Sequence, residues 1–178
     1  MSHVRLAALA GFVATQSSIA WAQAGPAPGA APIAPEKLAT VLPSAAFGET
    51  TREKPTTASD TTPIKRSEAK VAFVGKRGSR EPFRAIFIAS DEGAYGASMY
   101  GYGANYMTEN VKNETQRSIV LPGGQRALFT SYTKDSFGIE SFVGKRFVVR
   151  TSCMNATEAQ CIDAFAKWDF KAVEALKP

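Results

Sequence analysis

Catalysis needs a nucleophile, an acid–base group or a metal ligand, and this chain offers few of them. Its one histidine, His3, lies in a segment read below as a cleaved leader, so the mature chain has no imidazole. That excludes Ser-His-Asp and Cys-His mechanisms and any zinc or copper site built with histidine. Cys153 and Cys161 are spaced C-x7-C, not C-x-x-C, and in an exported chain they read as a structural disulfide. Closing so short a loop stabilises a fold by about 2.5–3 kcal/mol in the chain-entropy treatment. Covalent haem needs C-x-x-C-H, which is absent. Gly101-x-Gly103 runs on to Tyr106 where the dinucleotide fingerprint requires glycine, and Gly138 to Lys145 is one residue too long for a phosphate-binding loop. No cofactor is expected.

Three groups of residues remain. Asp91, Glu92, Asp135 and Glu140 would support a hydrolase acting on an envelope polysaccharide or peptide if two of them faced one another. Gly93 to Met107 places Tyr95, Tyr100, Tyr102 and Tyr106 among Gly93, Gly96, Gly101 and Gly103. Tyrosine brings a flat apolar face with a hydroxyl, and glycine lets backbone approach, a pairing suited to sugars or peptides. The same residues would also serve as plain core cover and turns at a sheet edge. Finally, FVGKR occurs at Phe73 to Arg77 and again at Phe142 to Arg146. If both turns share one rim, Lys76, Arg77, Lys145 and Arg146 form a basic patch for an anionic envelope component or an acidic protein. The competing reading is a pair of solvated hairpin tips.

The elements that must position these residues follow from composition and period. His3 and Arg5 precede an apolar run from Leu6 to Ala14, too short to span a bilayer, and Ala22-Gln23-Ala24 offers small residues for a peptidase. This reads as a signal peptide, residues 1–24, cleaved between Ala24 and Gly25. Export to the periplasm or beyond follows, without a transmembrane anchor. Loss of Arg5 leaves 20 basic against 16 acidic residues, a charge of about +4, too small an excess for a nucleic-acid partner. Much of that excess sits in Lys65, Arg66, Lys70, Lys76, Arg77, Arg80 and Arg84, opposed only by Glu68 and Glu81.

Residues 25–35 (GPAPGAAPIAP) read as a disordered tether and residues 36–178 as one domain, with 36–66 loosely ordered. A short helix is expected from Glu36 to Leu42, then a long mobile loop from Gly48 to Pro63. Strands are expected at Ala69 to Val74, Phe83 to Ala89, Arg117 to Leu121, Arg126 to Thr133, Phe137 to Val143 and Arg146 to Ser152. Gly144-Lys145 reads as a two-residue hairpin loop. Thr157 with Gln160 fits a capping box, and Cys161, Phe165, Trp168, Ala172 and Leu176 then share one helical stripe, with Asp169 capping a second helix. The expected fold is α+β: an antiparallel sheet of five or six strands with a C-terminal helix packed on one face.

Leu42-Pro43 with Gly48, then Val143-Gly144-Lys145-Arg146-Phe147-Val148-Val149, then Trp168-Asp169-Phe170-Lys171-Ala172-Val173-Glu174-Ala175-Leu176 form a familiar series. It resembles small exported bacterial proteins with a "VGxRFxV … DxxxxEAL" C-terminus. The resemblance implies a PsbP-like α+β fold and export, and no activity. The cysteine pair and the Tyr/Gly stretch depart from that pattern. The function expected is a non-enzymatic accessory or binding protein of the envelope, with its specific activity unassigned and the carboxylate-dependent hydrolase as the alternative.

Overall fold

Burial alternates from Ser67 to Val71 and from Arg84 to Ala89, as it does along strands that turn one face to the core. The structure, a computed structural model, describes residues 31–61, 65–75, 82–93, 114–144 and 146–177. Eight strands form one antiparallel sheet: β1 (Thr50–Arg52), β2 (Thr56–Asp60), β3 (Arg66–Gly75), β4 (Arg84–Asp91), β5 (Gln116–Val120), β6 (Arg126–Thr133), β7 (Ser136–Val143) and β8 (Phe147–Met154). Their order is β1-β3-β4-β8-β7-β6-β5, with β2 also paired to β3. The helices are α1 (Pro35–Ala39), α2 (Glu158–Phe165) and α3 (Phe170–Glu174).

The register lines up one inner row. Val71 stands beside Phe87, Phe87 beside Thr151, Thr151 beside Ile139, and Ile139 beside Phe129. Phe87 meets Phe73 and Trp168 edge-on at 5.4 and 5.8 Å between ring centroids. Thr151 is the polar member of the row, and its Oγ1 accepts a 3.0 Å hydrogen bond from the Trp168 indole nitrogen. The row therefore buries no orphaned hydroxyl.

An α+β fold of five or six strands with a helix across one face is not what forms. Strands hold 47% of the described residues and short helices 16%, so the sheet dominates. The physical reason is length. The eight residues of α2 rise about 12 Å, whereas seven strands side by side span about 29 Å. No helix among those described can be a layer. The two additional strands, β1 and β2, occupy the stretch expected to be a mobile loop. Every residue of β2 (TTASD) is exposed, so it has no buried side to print an alternation on the sequence.

The N-terminal part is also more tightly bound than composition implied. Ile33, Leu38, Val41, Leu42 and Ala46 are all buried in the core. Docking therefore begins inside the segment read as a disordered tether, and continues through the part read as loosely ordered. Residues 1–30, which include the segment read as a leader and the start of that tether, lie outside the described residues.

At the other end, the capping box forms as expected: Gln160 N donates to Thr157 Oγ1 and Thr157 N donates to Gln160 Oε1. Asp169 Oδ1 caps α3 through Ala172 N at 3.0 Å. Cys153 on β8 and Cys161 on α2 are joined in a disulfide, with Cα atoms 5.7 Å apart. The bond holds the first turn of α2 against β8. Replacing both cysteines with serine is expected to lower stability by about 2.5–3 kcal/mol from loop entropy alone, measurable as a lower urea midpoint. Equal midpoints would show that the capping box and Phe165 suffice to seat α2.

Candidate functional site

Arg146 follows a hairpin turn, where sequence reading places a solvated or anion-binding tip. The structure turns it inward. The last pairs of the β7–β8 hairpin are Val143 with Phe147, which leaves a loop of residues 144–146 and not two residues. Arg146 N donates to Val143 O at 3.2 Å, and Gly144 takes φ +60°. Freed from the ladder, the Arg146 side chain reaches Asp91, with Nε at 3.0 Å from Oδ1 and Nη2 at 2.8 Å from Oδ2. Asp91 is 0% exposed and Arg146 7%.

Backbone groups complete this pair. Asp91 also accepts from Ile33 N and Gly93 N, each at 2.8 Å, and Arg146 Nη2 donates to Ala31 O at 2.7 Å. The two charges thus cancel inside the molecule and hold the incoming chain at residues 31–33. Neither group is left for a partner or for proton transfer.

The other proposed site residues divide into two sets. Tyr95, Tyr100, Tyr102, Tyr106, Lys76, Arg77 and Lys145 lie outside the described residues. The carboxylates do not converge. Glu140 faces the outer side of the sheet and pairs with Arg150. Asp135 turns the β6–β7 hairpin, where Thr133 Oγ1 donates to it at 2.8 Å. Asp91 neighbours Phe147 at one end of β8, while Ser136, next to Asp135, neighbours Met154 at the other. Seven residue steps along a strand separate those ends by about 23 Å, so no facing pair forms from Asp91, Asp135 and Glu140; Glu92 sits directly beside Asp91. Part of the basic surplus is offset as well. Arg66 bonds Asp60 at 2.8 Å, which raises its pKa further, and Arg84 lies 3.7 Å from Glu53.

A cleft of about 570 Å³ opens on the rim near the β7–β8 loop. Sequence reading missed it because three distant segments build it. The β5–β6 turn gives Pro122, Gly123 and Gln125, the β7–β8 hairpin gives Phe142 to Gly144, and residues 167–174 give Lys167, Trp168, Asp169, Phe170, Lys171 and Glu174. Pro122 and Gly123, the latter at φ +99°, fit the central positions of a type II turn, closed by Gly124 N donating to Leu121 O. Gly144 is required twice over, by its left-handed φ and because a Cβ there would meet Glu174 Cγ at 3.3 Å.

Gln125 has a fixed orientation. Its amide nitrogen donates to Ser141 Oγ at 2.6 Å and to Phe142 O at 3.0 Å, while Ser141 Oγ donates onward to Arg126 O at 2.6 Å. Phe142 O can only accept, and the Ser141 hydroxyl hydrogen is already used. The carbonyl oxygen of Gln125 must therefore be the other arm of the amide. Lys167 and Lys171 face Asp169 and Glu174 in count, and none of the four enters a described ion pair.

No helix among the described residues is long and apolar enough to cross a membrane, and no three metal-ligating side chains cluster among them. No protein-family model, curated protein or solved structure matches the chain.

Proposed function

We propose that this protein is an exported, non-enzymatic accessory or binding domain of the bacterial envelope that holds a ligand in the rim cleft. The single observation that carries this reading is the cleft's composition. It joins apolar surface from Phe142, Phe170 and Pro122 to a locked amide and to side chains of both charge signs. Its volume falls within the range of about 300–1,000 Å³ common to ligand pockets. Support for binding over turnover comes from Asp91, whose carboxylate is consumed by Arg146 and the 31–33 backbone. The disulfide is consistent with an oxidising compartment. An unknown protein or anionic envelope component remains the partner suggested by the Lys-Arg turns, now without Arg146.

The test is titration of the full-length protein with soluble envelope glycans and peptides, followed by Trp emission. Trp168 lines the cleft and is one of only two tryptophans in the chain. Exchanging the exposed Lys167 and Lys171 for alanine together is expected to weaken binding at least tenfold while stability moves by no more than about 0.5 kcal/mol. Unchanged affinity would remove the cleft from consideration. Ligand recovered with an altered mass would make the protein an enzyme.

A further inference from the structure

We infer that the ligand class of the rim cleft is a neutral saccharide, an inference that rests on the cleft-binding reading above. The first observation is charge balance among the described lining residues: Lys167 and Lys171 are matched by Asp169 and Glu174, so these four side chains carry no net formal charge to select an anion or a cation. The second is the direction of the hydrogen bonds. Gln125 spends its N–H groups on Ser141 and Phe142 and keeps only an acceptor. Glu174 adds acceptors and the two ammonium groups add donors, so the cleft offers both kinds in a small space. A sugar hydroxyl both donates and accepts, and a pyranose ring also presents an apolar C–H face. Phe142 and Phe170, both half-buried, provide matching apolar surface.

An extended peptide is the competing occupant, and the architecture disfavours it. An extended peptide gains main-chain hydrogen bonds by adding to an open strand edge. The described lining comes from two turns, the end of β7 and residues 167–174 with α3, and β7 is already paired on both sides. A peptide would find side chains there but no backbone ladder to extend.

The experiment titrates the full-length protein with maltohexaose, cellohexaose and chitohexaose, and in parallel with oligogalacturonate and a poly-glutamate peptide. Binding of at least one neutral hexasaccharide is expected, with affinity changing less than twofold between low and high salt, because an uncharged sugar offers nothing to screen. Gln125→Met should weaken that binding at least tenfold. Should this variant fail to fold, Lys171→Ala on the exposed face of α3 reads the same site. Absence of any neutral-sugar binding tighter than about 10 mM overturns the saccharide assignment. Binding of poly-glutamate or oligogalacturonate alone also overturns it, while the cleft stands as a binding site. A neutral sugar held equally well by the wild type and Lys171→Ala sinks both readings at once.

Discussion

Replacing Asp91 with alanine is expected to lower the free energy of unfolding by about 3–5 kcal/mol, the cost of breaking one partner out of a buried ion pair. The substitution leaves the Arg146 guanidinium with 7% exposure and no counter-charge. It also removes the acceptor of Ile33 N and Gly93 N, which donate to Asp91. Arg146→Met should cost a similar amount for the opposite reason, because a carboxylate at 0% exposure then keeps two N–H donors but loses its cation. For a chain of this size each kcal/mol moves the thermal midpoint by about 2–4 °C, so a fall of roughly 10 °C is the readout. The double variant Asp91→Leu with Arg146→Met should recover part of that loss, since apolar replacement of both partners removes the desolvation cost. Limited proteolysis adds a structural check. Residues 31–33 are fastened at Ala31 O and Ile33 N by this pair, so both single variants should become cleavable there before the sheet unfolds. If Asp91→Ala unfolds at the wild-type temperature, the pair is not what secures the N-terminal segment.

The same pair shows where sequence reading reaches its limit. Phe83 to Ala89 announces a strand as a short apolar run broken only by Arg84, and in the structure burial alternates along it from Arg84 to Ala89. The expected stripe from Cys161 to Trp168 is buried, although it crosses from α2 into the bend before α3. β1 and β2 escaped notice since their side chains touch water, and only threonine's preference for extended backbone hints at them. Gly-Lys-Arg after a strand describes a turn, not a destination, so sequence alone leaves Arg146 at a solvated tip. Its partner lies 55 residues earlier, and no local pattern encodes that separation. The cleft was illegible for the same cause. Pro122, Gly144 and Lys171 meet only when the β5–β6 and β7–β8 turns and the C-terminal segment gather on one rim.

Trp168 joins the core to that rim, so its substitution should report on both. Trp168→Ala is expected to destabilise by about 3–5 kcal/mol, as for other large aromatic deletions in cores. The ring is 4% exposed, contacts Phe87 edge-on, and also lines the cleft. Trp168→Phe separates packing from hydrogen bonding. It keeps an aromatic against Phe87 yet leaves Thr151 Oγ1, at 0% exposure, without its indole donor. The expected cost is about 1–3 kcal/mol, that of an unsatisfied buried hydroxyl plus a small void. Thr151→Val in the Trp168→Phe background should regain stability, because removing the hydroxyl removes the unmet demand. A double-mutant cycle by urea denaturation gives the coupling directly. If Trp168→Phe matches the wild type and Thr151→Val adds nothing, the indole–threonine bond contributes no net stability. Ligand affinity should then follow a different order from stability. Trp168→Phe keeps an aromatic lining beside Phe142 and Phe170, whereas Trp168→Ala deletes the Trp168 surface from the cleft, so only the alanine variant should lose binding while still folded in mild conditions.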